Sequence, residues 1–293
     1  MLGNFLPKAA QRLTETTSLA FLEALERCAI GAIETAYVRR GTGEPPLLLI
    51  HGFDSSVLEF RRLLPQLSAE RETWAVDLLG FGFTDRPQNT NFSPQAIREH
   101  LYTFWKQCIG QKVILVGASM GGAAAIDFAL AYPECVGALI LLDSVGFTNG
   151  VPPFARYLIP PLDYLAVEVL RGRTLRLQAA RSAYWDRTYA SEDAQICGAL
   201  HLEMRGWRRA MVVFMKSGGY TFTASQIAKL DLPTLILWGA QDRILGTGDA
   251  EKFQATISGS KLIWIPDSGH VPHLEKAEIT AQHILTFCQE GVF

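Results

Sequence analysis

Apolar and polar positions fall in alternating blocks along most of the chain. Short apolar runs at residues 34–39, 47–51, 73–77, 113–117, 139–143, 234–239 and 261–266 carry turn residues at their ends. Runs of that length and composition predict strands buried on both faces. Between them lie segments with helical spacing, roughly residues 57–69, 93–109, 120–132, 247–257 and 275–290. Ser93-Pro94 opens one of them with an N-cap and a proline at the first helical position. Strand and helix in regular alternation predict an α/β fold, with a mostly parallel central sheet and helices on both faces.

The alternation stops over residues 146–228. That stretch has helical spacing and prolines at 152, 153, 160 and 161, but no run that reads as a buried strand. It predicts a helical cap inserted into an α/β core of residues 31–145 and 229–293. Residues 1–30 predict a separate helical segment. Leu13, Leu19, Phe21, Leu22, Leu25, Ala29 and Ile30 could share a helical face there, packed on the body or lying on a membrane surface. The segment lacks the clean apolar core of a signal peptide, and no stretch reaches the ~18 apolar residues of a spanning helix. A cytoplasmic protein, or one peripherally associated with a membrane, is expected.

Charge and cysteine usage narrow the class. The net charge is -2 over 293 residues, without the basic bias of a nucleic-acid binder. The cap holds ten Lys and Arg against six Asp and Glu, an excess that suits an anionic surface or simply solvates helix faces. Cys28, Cys108, Cys135, Cys197 and Cys288 have neither disulfide-framework nor zinc spacing, as expected in a reducing compartment.

The sharpest chemical signal is Gly117-Ala118-Ser119-Met120-Gly121-Gly122, between an apolar run and a helical one. A serine on a strand-to-helix turn, with glycines two before and two after, is the pattern of a nucleophile elbow. A hydroxyl needs a base at neutral pH. His270, in the loop after the last strand candidate, is the best placed of the histidines, since catalytic groups gather at the C-terminal edge of such sheets. His51 precedes Gly52 and suits a structural role, and His273 suits a structural hydrogen bond. The acid should lie between serine and histidine in the chain. Asp242, just past the 234–239 run, is preferred, with Asp143 as the competitor. The backbone N–H groups of Met120 and Phe53 are expected to hold an oxyanion. No metal or organic cofactor is expected.

Taken together, His51-Gly52, Asp77 to Gly82, Gly117 to Gly122, Asp242 and His270 resemble the α/β-hydrolase superfamily. Serine at 119 argues against the dehalogenases and epoxide hydrolases of that superfamily, which carry aspartate there. A narrower resemblance is to chlorophyll dephytylases. It rests on His51-Gly52-Phe53-Asp54-Ser55-Ser56, Leu58 to Arg62, Glu72 to Asp77, Met211 to Tyr220 and Pro266 to His270. This resemblance implies hydrolysis of the phytyl ester of chlorophyll to chlorophyllide and phytol, and possible contact with a thylakoid membrane. With no plant-like transit extension, it also implies a cyanobacterial protein or a trimmed plastid one.

The expected substrate is therefore a large apolar ester. Phe53 and Met120 could line its pocket or belong to the core, and Phe154, Tyr157, Leu158 and Leu162 are expected to bind it or to meet a membrane, because residues 152–170 are unusually apolar for a surface insertion. One rival is a carbon–carbon bond hydrolase that grips a carboxylate with Arg205, Arg208 or Arg209. The other is a ligand-binding protein that has lost catalysis.

Overall fold

The central strands form one sheet because their apolar runs have two faces to bury, whereas the 261–266 run, expected to be buried on both faces, lies at the sheet edge and is only part-buried. The computed structural model describes residues 5–148 and 151–291. Residues 1–4 of the expected N-terminal segment and 149–150 of the expected cap lie outside the described residues. The strands are β1 (Leu25–Ile30), β2 (Ile33–Arg40), β3 (Leu47–Ile50), β4 (Thr73–Val76), β5 (Val113–Ala118), β6 (Val136–Leu142), β7 (Thr234–Gly239) and β8 (Lys261–Ile265). They make an eight-stranded sheet in the order β1-β2-β4-β3-β5-β6-β7-β8. β2 runs antiparallel to β1 and β4, and every pair from β4 to β8 is parallel.

The period-two geometry of a strand sorts the core into two layers. Leu48, Ile50, Leu115, Leu139, Leu141, Ile236 and Trp238 point to one face. Leu47, Leu49, Ile114, Val116, Ile140, Leu235 and Leu237 point to the other. The helices are α1 (Thr16–Glu23), α2 (Leu63–Ser68), α3 (Pro94–Phe104), α4 (Met120–Ala131), α5 (Leu162–Val169), α6 (Arg173–Ala183), α7 (Glu192–Cys197), α8 (Trp207–Ser217), α9 (Ala224–Ile227), α10 (Gly248–Thr256), α11 (Pro272–Glu275) and α12 (Ala277–Glu290). Helices α3, α4 and α10 cover the first face, and α1, α2 and α12 the second. The chain from α5 to α9 is the helical insertion between β6 and β7. No helix among the described residues is long and apolar enough to cross a membrane.

The N-terminal expectation needs correction. Only Thr16–Glu23 is an α-helix, preceded by a short 3-10 turn, and residues 25–30 form edge strand β1. The reversal at Gly31, with φ +61°, folds β1 onto β2, and paired backbone outweighs the weak helical spacing of Leu25, Ala29 and Ile30. Phe21 and Leu22 are buried in the sheet's second layer, so α1 packs on the body. Glu15 anchors this segment by ion pairs to Arg61 and Arg62. Burial alone would raise the Glu15 carboxyl, but the arginines outweigh it and hold it at about 2.

Two expected outcomes follow from this architecture. A depressed carboxylate adds stability above its unfolded value, and that stability is lost as pH falls. Denaturation midpoints should therefore drop as pH falls from about 4.5 towards 2, and Glu15→Gln should flatten part of that drop. At α4, a Cβ on Gly121 would overlap the carbonyl oxygens of Ile50 and His51. Gly121→Ala should lower stability in urea titration by on the order of 3 kcal/mol, the upper range for forced overpacking.

Candidate active site

Ser119 joins β5 to α4 with φ 52°, a conformation that side-chain-bearing residues rarely adopt. Glycine at 117 and 121 makes the turn possible. A Cβ at Gly117 would overlap the backbone of Gly121 and Gly122. The turn lifts the hydroxyl off the sheet edge, where Ser119 Oγ lies 3.0 Å from His270 Nε2. His270 Nδ1 lies 2.9 Å from Asp242 Oδ2. The other Asp242 oxygen accepts the N–H groups of Ile244 and Leu245 at 2.7 and 3.2 Å. The serine, the histidine and the preferred acid thus come from three different strand ends and meet in one line. An imidazole held by a carboxylate on one nitrogen is set to take a hydroxyl proton on the other.

Asp143, the competing acid, stands behind this line. It follows β6 with φ 41° and is fully buried. Its Oδ1 accepts the Gly239 N–H at 2.9 Å, and its Oδ2 has no donor. Burial, then the charge of Asp242, raises the Asp143 carboxyl well above the usual range. Two adjacent buried carboxylates do not both ionise easily, and Asp242 has the three N–H donors. Asp143 is therefore the one that favours its proton. Asp143, Asp242 and His270 place potential metal-ligand atoms within 4.8 Å of one another. The atoms of Asp242 and His270 are already turned on each other at 2.9 Å.

The loop after β3 lies against the serine. A Cβ on Gly52 would sit 3.3 Å from Ser119 Cβ. Among the described residues, the N–H groups of Phe53 and Met120 donate to no protein acceptor, as an oxyanion site requires. Behind the loop, Glu59 accepts the Gly52 N–H at 2.9 Å and pairs with His273 at 3.0 Å. Burial would raise Glu59, but the His273 hydrogen bond and nearby histidine charge carry it down to about 2. His51 donates through Nδ1 to its neighbour's carbonyl and accepts the Leu78 N–H at Nε2. Burial lowers it to about 4, so it is a neutral strut. His273 likewise makes the structural hydrogen bond expected of it.

A cavity of about 520 Å³ opens over Ser119 and His270. Phe53 lines it, together with Leu58, Leu170, Leu175, Leu177 and Ala180. The other expected substrate contacts do not. Met120 is buried in the first core layer because α4 turns its side chain under the sheet's edge. Phe154, Tyr157 and Leu162 are 63, 76 and 56% exposed and Leu158 half-buried, outside the cavity wall. The apolar wall comes instead from α6, twenty residues further on, which sequence spacing could not place. Arg205, Arg208 and Arg209 are also away from the cavity; Arg209 holds the carbonyls of Pro87 and Thr90.

Two acids that the sequence did not single out hold this wall in place. Asp54, with φ 47°, accepts from Arg176, His201 and Trp207 at 2.6, 2.9 and 2.8 Å. Burial opposes its charge, but His201 and Arg176 outweigh that and lower it. Glu275 accepts the N–H groups of Gly269, Trp185 and Asp186, tying the His270 loop to the end of α6. The only sequence signal for Asp54 was its place in the His51 to Ser56 stretch.

Three comparisons bear on this arrangement. A family model for the alpha/beta hydrolase fold matches residues 45–277. The alpha/beta hydrolase domain-containing protein VTE7 of Arabidopsis thaliana is 33% identical over 99% of this chain and 91% of its own. The 2-hydroxy-6-oxo-6-(2'-aminophenyl)hexa-2,4-dienoic acid hydrolase of Metapseudomonas resinovorans is 30% identical over 95% of this chain and 94% of its own. Among solved structures, a serine hydrolase involved in carbazole degradation superimposes with a TM-score of 0.76 at 26% identity, covering 90% of this chain and 98% of that one. With the family match over most of its length and the sheet and elbow described above, this chain belongs to the α/β-hydrolase family.

Proposed function

We propose that this hydrolase cleaves a carboxylic ester of a large apolar molecule, with Ser119 as nucleophile, His270 as general base and Asp242 as the acid that orients it. The observation that carries the reading is the serine–histidine–aspartate line at the floor of an apolar cavity. Ser119 Oγ attacks the ester carbonyl while His270 Nε2 takes its proton, and the N–H groups of Phe53 and Met120 stabilise the oxyanion. His270 then protonates the departing alcohol. A water activated by the same nitrogen releases the acid and restores the serine. Within this class we assign the phytyl ester of chlorophyll as substrate, on the stretches that resemble dephytylases and on the apolar wall of α6. The cavity volume lies within the ~300–1,000 Å³ range of small-molecule sites.

A carbon–carbon bond hydrolase is the second reading, favoured by the dienoic acid hydrolase among the relatives. It needs a cation for the substrate carboxylate. Most arginines at the cavity are already engaged: Arg61 with Glu15, Arg171 with Glu168 and Arg176 with Asp54. That leaves Arg173 at the wall as the group that could serve, and an otherwise neutralised cavity suits an apolar ester better.

Ser119→Ala should fold normally, lose fluorophosphonate labelling and lose up to ~10⁶-fold in turnover, as when a triad acts as a unit. Asp242→Asn should cost about 10⁴-fold in kcat. Asp143→Asn, which exchanges a buried carboxyl for an amide of the same shape, should cost far less. The reverse ranking would move the acid to Asp143, and retained labelling in Ser119→Ala would remove the serine mechanism.

The cavity generates a second expectation. Each CH₂ buried contributes about 0.8 kcal/mol, so kcat/KM should rise from acetate to long-chain and isoprenoid esters. Leu177→Asp, in the wall, should depress the long ester far more than a short chromogenic one. Chromatography of pigment products beside a short-ester assay checks both. Preference for a diketone-like acid over every ester would favour the carbon–carbon reading.

A further inference from the structure

The apolar stretch expected to line a pocket or meet a membrane faces outward. Helix α5 buries Asp163 and Val167 against the body and turns Leu162, Leu165 and Val169 to solvent, at 56, 58 and 62% exposure. Phe154, Tyr157 and Ile159, just before it, are 63, 76 and 68% exposed. The helix is therefore amphipathic with its apolar stripe on the wrong side for a soluble protein, and contiguous exposed patches of this kind mark binding surfaces. Two further observations say what covers it.

The first is charge. The acids of this segment are neutralised within the protein, Asp163 by Lys216 and Glu168 by Arg171 and Arg208. Arg156, Arg173 and Arg181 are exposed, and among the described residues none has an acidic partner. An apolar face with one uncompensated cation within it, at Arg156, and two more on the helix that follows in the chain fits a bilayer with anionic headgroups, where side chains sink into the acyl boundary and arginines stay at its surface. The second is continuity. The chain passes from the exposed stripe at Val169 straight into Leu170, Arg171, Arg173 and Leu175 of the cavity wall. Helix α6, which follows, has no buried residue, so the wall is thin on this side.

We propose that the outer face of residues 154–169 docks on an anionic lipid surface and opens the Ser119 cavity towards it, so that an apolar ester passes from bilayer to active site without crossing water. The proposal rests on the apolar-ester reading, but its deciding readout is membrane binding, with turnover only as a control. The full-length protein, and Ser119→Ala to keep lipids intact, would be floated with vesicles of phosphatidylcholine alone or mixed with phosphatidylglycerol. Binding is expected with the anionic vesicles at low salt, weakening at high salt or in Arg156→Glu/Arg181→Glu. Ile159→Glu/Leu165→Glu should lower partitioning by at least about ten-fold, the order expected for two apolar side chains. The same variant should keep its circular dichroism spectrum and its short-ester activity. Failure of the wild-type protein to float, or equal flotation of the Ile159/Leu165 variant, would overturn the proposal. So would a dimer in light scattering that this variant dissociates, because the face would then join two copies of the chain. Loss of esterase activity with intact flotation would instead count against the ester reading alone.

Discussion

The structure depends on one steric constraint, the close approach of β3, β5 and the start of α4 around a serine in a left-handed conformation. At Gly117, Gly121 and Gly122 an added Cβ would strike backbone or the Ser144 side chain. With side chains forbidden there, α4 begins directly under the Ser119 hydroxyl, and its first free N–H points outward. Strain of this kind costs on the order of 1–3 kcal/mol per residue and persists only where the surroundings over-determine it. Here they do. Ser119 N–H is bound by Leu142 of β6, and its carbonyl accepts from Gly122 and Val145. Two buried core layers clamp the strands on either side.

From that point outward the site is a problem in housing charge. The sheet's C-terminal edge gathers Asp77, Asp143 and Asp242 after the parallel strands β4, β6 and β7, all buried. Each resolves its burial differently. Asp77 accepts the N–H groups of Val57 and Phe83, yet burial pushes it up to about 7. Asp143 has one donor and favours its proton. Asp242 has the backbone donors and the imidazole. Hydrogen-bond count, rather than position in the chain, separates the acid proposed to orient His270 from its competitor.

Those features that depend on a few adjacent residues were legible in the sequence. The elbow shows itself because its glycines are required locally, and Asp242 and His270 because each follows an apolar run that forms a strand, buried in β7 and part-exposed at the edge in β8. The parallel sheet was legible for the same reason. What escaped depends on partners far away in the chain. Residues 25–30 became a strand because β2 offers an edge to pair with, a fact their own spacing does not encode. The roles of Asp54 and Glu275 exist only once α6 and α8 are folded over the loops. The outward turn of Leu162 was not legible because a periodic apolar stripe says which residues share a face, but not whether that face meets protein or solvent.

This division has a physical consequence for the insertion. The serine, histidine and acid are fixed by sheet ends packed on both sides, whereas the cavity wall is α6, a helix with no buried residue. The wall is held mainly by polar ties at its margins: Arg176 to Asp54, the Ala183 carbonyl accepting the His270 N–H, and Glu275 on the segment beyond. Apolar packing is non-directional and tolerates sliding, while a few ion pairs and hydrogen bonds define position without filling space. The wall's apolar side chains can therefore change with little effect on the core, provided Asp54 and Glu275 keep their partners. On the reading proposed above, the cavity wall is thus an element with no buried residue, while the serine, histidine and acid stand on densely packed ones.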